Sequence, residues 1–235
     1  MLHEDSLKKT DPEFIERWKA FAYDEVVNEP DQQLDDPTRY LAIMATLTGS
    51  QSIDTFKAML PEAIEGGLTP VMLKEMVYQA VDYLGFGRVY PFLNAVNDYL
   101  KEQGVELPLE GQATTTMEDR LEKGAQAQVD IFGDVMKDSW KKGHINRWLS
   151  ANCFGDYYTR TGLDYKQREM ITFCFLAAQG GCEPQLTSHA GGNMKIGNDK
   201  AFLIKVVSQC LPYIGYPRSL NAINCIENAA KAMEE

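Results

Sequence analysis

One short cluster occurs twice in this chain, as Tyr83-Leu84-Gly85-Phe86-Gly87-Arg88 and as Tyr213-Ile214-Gly215-Tyr216-Pro217-Arg218, with one offset throughout, 213 − 83 = 218 − 88 = 130 residues. A fixed period of this kind means that one supersecondary unit is used twice, so both halves must fold alike. The register runs on to Asn94/Asn224, and counted back it slips by one, pairing Arg39 with Arg168 at 129. The chain of 235 residues, 44% of them hydrophobic, is long enough for two such units. Residues 108–116, rich in Gly, Thr and Pro, read as the linker. We therefore expect one copy in residues 1–107 and a second in 117–235.

Both copies read as helix. Capping residues followed by Pro or an acid recur at Asp11-Pro12, Asp36-Pro37, Thr69-Pro70, Asp164 and Asn198. Each precedes apolar residues at three- and four-residue spacing, as in Leu73, Met76, Val77 and Ala80. Pro61 should kink or shorten its helix, and residues 144–160 should form a helix with Ile145, Trp148, Leu149, Cys153 and Phe154 inward. No window alternates as a strand does, so the fold class is all-α, a tandem repeat of one helical bundle.

A formal charge of −11, from 23 basic and 34 acidic residues, repels phosphate backbones and anionic lipid, which speaks against nucleic-acid and membrane partners. The start of the chain lacks a basic, apolar leader and no stretch is apolar enough to span a bilayer, so a cytoplasmic protein is expected. Five cysteines, all in the second half, read as reduced thiols rather than a disulfide framework. With three histidines and no paired Cys-x-x-Cys, no metal site is expected. Phosphate-binding glycine loops and the serine-hydrolase motif are missing as well.

The halves differ where chemistry is concerned. Against Glu169, Cys182, Gln185 and His189 the first copy has, at offset 129, Tyr40, Ile53, Phe56 and Leu60. Cys182, Gln185 and His189 stand at i, i+3 and i+7 around a helix start and share one face. A thiol there is favoured as thiolate, and the histidine is placed to exchange a proton with it or with a substrate. Glu169 on the preceding helix can fold back across Gly180-Gly181 to orient the imidazole. The plain alternative is packing, since a lone His or Cys is more often a core residue. Arg168 and Arg218 have counterparts in Arg39 and Arg88, which suggests structure first, with anchoring of an acidic substrate second. Of Tyr157 and Tyr158, one is expected in the core and one in the cleft. Gly191-Gly192 allows close approach of a ligand or of a helix.

At these residues the chain resembles the carboxymuconolactone decarboxylase family, which includes the alkylhydroperoxidase D-like proteins. The resemblance rests on Arg168-Glu169, Gln185-Leu186-Thr187-Ser188-His189-Ala190-Gly191-Gly192-Asn193, Gly197 and Tyr213 to Arg218. It implies an all-helical fold and homo-oligomers, here a trimer forming a pseudo-hexameric ring. It also implies two chemistries. The peroxidase branch needs an upstream Glu and Cys-x-x-Cys-x-x-x-His, and here Gln185 replaces the second Cys, so no internal disulfide can form. The lactone decarboxylase branch needs acid/base groups around a small acidic lactone.

The expectation is therefore a cofactor-free lyase-like enzyme acting on a small carboxylated lactone. His189 would transfer the proton, Glu169 orient it, and Arg168 or Arg218 anchor the carboxylate, while Asn193 or Gln185 donates to the lactone carbonyl. Two alternatives stand beside it. One is a thiol peroxidase (peroxiredoxin activity) using Cys182 with an external resolving thiol, the other a non-catalytic ring-forming binding protein.

Overall fold

A computed structural model describes residues 4–234 of the protein. After a first turn at Glu4–Thr10 come α1 (Pro12–Ala20), α2 (Asp36–Gly49), α3 (Ile53–Glu65), α4 (Pro70–Leu84), α5 (Phe86–Glu102) and α6 (Arg120–Phe132). Then follow α7 (Tyr165–Gln179), α8 (Glu183–Lys195) and α9 (Lys200–Glu234), the last broken by extended backbone at Gly215. No strand occurs among the described residues, so the fold is all-α.

Thr69 and Asp164 cap by side chain as expected, whereas Asp11 makes no such bond and α2 is capped by Asp35 rather than by the expected Asp36, which is its first helical residue. Asp35 accepts from Thr38 N at 3.0 Å, Thr69 from Met72 N at 3.2 Å, and Asp164 forms a capping box with Gln167. The cap of α9 is Asp199, which accepts from Phe202 N at 2.7 Å; the expected cap, Asn198, instead donates to Lys166 O. Pro61 does not end its helix, since α3 runs through it to Glu65. The linker residues 108–116 carry no helix and connect α5 to α6.

Helices α2 to α5 recur as α7, α8 and the two segments of α9. Gly67 and Gly197 end equivalent helices at φ 100° and 95°, and Gly85 and Gly215 break equivalent turns at φ 82° and 76°. Only glycine adopts this backbone without strain. The one-residue slip lies inside the first helix pair, because α2 has 14 residues and α7 has 15. From α3 and α8 onward the offset is 130. This corrects the expected pairing: Cys182, Gln185 and His189 stand opposite Ser52, Thr55 and Met59, while Tyr40 stays opposite Glu169.

A single hydrophobic core runs through both halves, with Leu41, Met44, Phe56, Met76 and Phe92 packed in one cluster with Ile171, Phe173, Phe175, Leu203 and Ile226. The halves also exchange buried hydrogen bonds. Arg39 Nε donates to Gln209 Oε1 and Arg168 Nη1 to Gln79 Oε1, both at 2.9 Å. Arg168 is fully buried, and its charge is met by Glu75 at 3.0 Å, which also takes Arg160 at 2.9 Å. A smaller cluster forms where α6 crosses the π-helical segment Leu149–Tyr158, uniting Ala127, Ile131, Cys153, Phe154 and Tyr158. Gly124 and Gly155 permit that crossing, since a Cβ on either would collide with facing backbone.

Removing one member of a buried ion pair strands the other charge, typically at about 3–5 kcal/mol. Glu75→Gln should therefore lower unfolding stability by about that amount in urea titration, whereas a change below about 1 kcal/mol would show that the pair is not load-sharing.

Candidate active site

Glu169 and His189 meet. Helix α7 presents Glu169 one residue after the pinned Arg168, and α8 returns antiparallel to place His189 Nδ1 at 2.9 Å from Glu169 Oε2. The carboxylate is fully buried and the imidazole side chain keeps 13% exposure, so the ring has one covered and one reachable side. The other carboxylate oxygen accepts from Tyr158 OH at 2.7 Å, and that hydroxyl contacts Thr172 Oγ1 at 2.8 Å and Tyr83 OH at 2.9 Å. Cys153 Sγ donates to Tyr83 OH at 3.6 Å. Burial holds both phenols well above the ordinary tyrosine value, which keeps them neutral and able to donate. With a carboxylate on Nδ1, the imidazole carries its proton there and turns Nε2 outward as the acceptor. Nε2 has no hydrogen-bond partner among the described residues.

Aromatic edges fix the ring. Tyr83 and Phe132 stand at 5.6 Å and 5.4 Å from the imidazole, each near perpendicular. Gly192 makes room for this packing, because a Cβ there would lie 2.9 Å from Glu169 Oε2 and 2.5 Å from Phe132 Cε1. Gly191 faces open space. The second glycine of the pair thus serves helix packing.

The remaining expected site residues are placed as follows. Arg168 cannot anchor a substrate, since its guanidinium is sealed in the core on Glu75, Gln79 and the Arg160 and Thr161 carbonyls. Asn193 cannot donate to one either. It is fully buried, its amide nitrogen is spent on the Glu169 and His189 carbonyls, and its oxygen accepts from Asn198. Cys182 caps α8 but is not activated by it: burial pushes the thiol up, and Sγ donates to Leu176 O at 3.4 Å. Gln185 is exposed, one turn before His189. Arg218 is half-buried, with its guanidinium against Gly180 and on the Cys182 side. Of the tyrosine pair, Tyr158 is buried and is the one that reaches Glu169, while Tyr157 is partly open and makes no hydrogen bond with the Glu169–His189 pair.

Sequence reasoning missed Tyr83, Phe132, Cys153 and Asp82 as site residues. An α-helical period put Ile145, Trp148 and Leu149 inward, yet they are 62%, 55% and 41% exposed. Ile145 and Trp148 lie in a short α-helix, His144–Trp148, after which the chain is π-helical over Leu149–Tyr158, where Cys153 and Phe154 are buried as expected and Tyr158 joins them. Asp82, beside Cys153, is raised by burial to about 7, and its Oδ2 is buried without a partner among the described residues.

Residues 144–228 match the model of the carboxymuconolactone decarboxylase family. That stretch, about a third of the chain, is what resembles the family. It contains Glu169, His189 and Tyr158, whereas Tyr83 and Phe132 lie outside it. A crystal structure of a Burkholderia xenovorans LB400 protein, provisionally described as a gamma-carboxymuconolactone decarboxylase subunit, is similar over 97% of this chain and 90% of that one, at 21% identity and a TM-score of 0.50. At that identity the likeness is one of fold, and it spans both halves of the chain. No curated protein matches the chain in sequence. Among the described residues, no helix is long and apolar enough to cross a membrane and no cluster of His, Cys, Asp and Glu is arranged to hold a metal ion.

Two outcomes follow from this geometry. Gly192→Ala should displace the Glu169 carboxylate, seen as a shift of the His189 ring resonances in NMR; unchanged ring shifts would mean the gap is not needed. Asp82 is protonated in the folded chain up to about 7 but ionises near 3.8 when unfolded, so the folded state binds the extra proton between these values. Stability should fall as pH rises from about 4 to about 7, and that slope should vanish in Asp82→Asn when denaturation midpoints are compared across pH.

Proposed function

We propose that this protein is a lyase of the carboxymuconolactone decarboxylase kind, acting by acid/base chemistry on a small carboxylated lactone. The observation that carries the reading is the 2.9 Å contact between buried Glu169 and the slightly exposed His189, completed by Tyr158. In this reaction the bond from ring carbon to carboxylate breaks, CO2 departs, and the electron pair is held as an enolate conjugated to the lactone carbonyl. His189, protonated from solvent at Nε2, returns a proton to the carbon, while Glu169 holds the imidazolium through Nδ1. Gln185 is the available donor to the developing enolate oxygen, since Asn193 is committed to the backbone. Arg218 is the remaining cation for the carboxylate of the substrate, Arg168 being sealed by Glu75.

The thiol route is less favoured by the state of Cys182, whose burial and bond to Leu176 O keep it protonated. We also take residues 1–107 and 117–235 as two copies around the linker 108–116, assembled in a trimer of pseudo-hexameric form. Exposed apolar pairs support this, because Phe86 and Tyr90 in one copy stand at the positions of Tyr216 and Leu220 in the other.

The test is CO2 release from carboxylated lactones. His189→Ala should lower kcat by about 10²- to 10⁴-fold and Glu169→Gln by a smaller factor, with Cys182→Ser within about twofold of the unaltered chain. Peroxide reduction that is abolished by Cys182→Ser would overturn the assignment.

A further inference from the structure

A cavity of about 250 Å³ opens in the N-terminal half between α1, α2, α3 and the bend of α9, walled by Ile15, Trp18, Leu47 and Tyr213 with the hydroxyl residues Ser52 and Thr55 at one side. Its place is set by the repeat. Ser52, Thr55 and Tyr213 are the residues that stand opposite Cys182, Gln185 and Tyr83 at offset 130. The cavity therefore occupies, in the first copy, the ground that the candidate catalytic face occupies in the second. There Tyr83 packs on His189, whereas here Met59 stands opposite that imidazole and Tyr40 opposite the carboxylate.

We propose that this cavity is a second, non-catalytic small-molecule site, for a neutral single-ring compound carrying one hydroxyl or carbonyl group. Three observations define the ligand. No lining residue among the described residues is charged, so a carboxylate would be desolvated with no cation in the lining to meet it. The wall is aromatic, with Trp18 set edge-on to Tyr213 at 6.1 Å and to Tyr23 at 5.7 Å, an arrangement that receives another ring by stacking or edge contact. The volume suits one ring rather than a helix or peptide; an apolar cavity of about 150 Å³ already admits benzene. Ser52 Oγ, already paired with Ser50 Oγ at 2.9 Å, and the Thr55 hydroxyl supply the polar contact. The site thus differs in charge preference from the carboxylate-binding face proposed for the second copy. The inference uses the register of the repeat and the lining of the cavity, and holds whether or not the lyase assignment does.

The experiment is an amide NMR titration of the full chain with p-cresol, with benzoate as the charged analogue. Saturable shifts confined to α1, the start of α3 and residues 212–213 are expected, with benzoate at least about tenfold weaker because its charge stays unpaired. Thr55→Phe, which fills the cavity from a half-exposed position, should weaken p-cresol by at least about tenfold with an unchanged melting temperature, and Trp18→Leu does the same if that variant fails to fold. His189→Ala should bind p-cresol as the unaltered chain does. The proposal is overturned by absence of saturable shifts, by shifts centred on α8 near His189, by equal binding of benzoate, or by concentration-dependent shifts of the same amides without ligand, which would assign the cavity to contact between copies.

Discussion

Glu169 is aimed from the other half of the molecule. Its neighbour Arg168 reaches into the N-terminal copy, where Glu75 and Gln79 on α4 hold it without exposure to water. Gln79 also donates to the Arg168 carbonyl and to Thr172, one turn further along α7. Consecutive residues of a helix point about 100° apart, so pinning one flank of α7 fixes where the next side chain projects. A guanidinium taken out of water is tolerable only while its carboxylate is present, which makes this orientation expensive to disturb. The site in one copy thus depends on an ion pair anchored in the other.

What Glu169 then meets is assembled with little freedom. Three hydroxyls, from Tyr158, Tyr83 and Thr172, are linked at 2.8–2.9 Å behind the carboxylate, and the imidazole is wedged between two ring edges in front of it. Such a network satisfies a buried carboxylate through neutral donors and leaves the charge of the site to be set by the proton on His189. The missing side chain at Gly192 is as much a part of it as the groups present. Cys182 lies outside this network, at the helix start with its own bonds to Leu176 O and Gln179.

The fold was largely legible in the chain because its signals are local: caps at Thr69 and Asp164, and glycines at 85 and 215 where φ must be positive. The pairing of Glu169 with His189 was legible for a related reason, since two antiparallel helices joined by a short glycine turn bring facing positions together. Arg168 and Asn193 misled because residue type does not say which flank of a helix it occupies, and both lie on the flank that packs. Tyr83 and Phe132 could not be found locally, coming from α4 and α6, distant in sequence. Over residues 144–160 the periodicity was half right: Cys153 and Phe154 are buried as expected, whereas Ile145, Trp148 and Leu149 are exposed, and the i→i+5 bonding of Leu149–Tyr158 shifts the facing residues from those of an α-helix. The register slip was placed one helix too late because an extra residue inside α7 leaves no mark in composition.

The Glu169–His189 pair has no counterpart at the matching positions of the first half, Tyr40 and Met59. Each half needs the other for its core, so neither can be lost, yet the reciprocal Arg–Gln bonds that join them involve neither Glu169 nor His189. The framework therefore constrains Arg39, Gln79, Arg168 and Gln209 alike while leaving the two clefts free to diverge. Tyr83 shows how far that division goes: it belongs to the copy without the dyad, yet it forms a wall of the imidazole pocket and a link in the hydroxyl chain. Its counterpart Tyr213 crosses the other way, closing the first-copy cavity from the second copy. Each cleft is thus finished by a tyrosine from the opposite half, and a change in either copy reaches both.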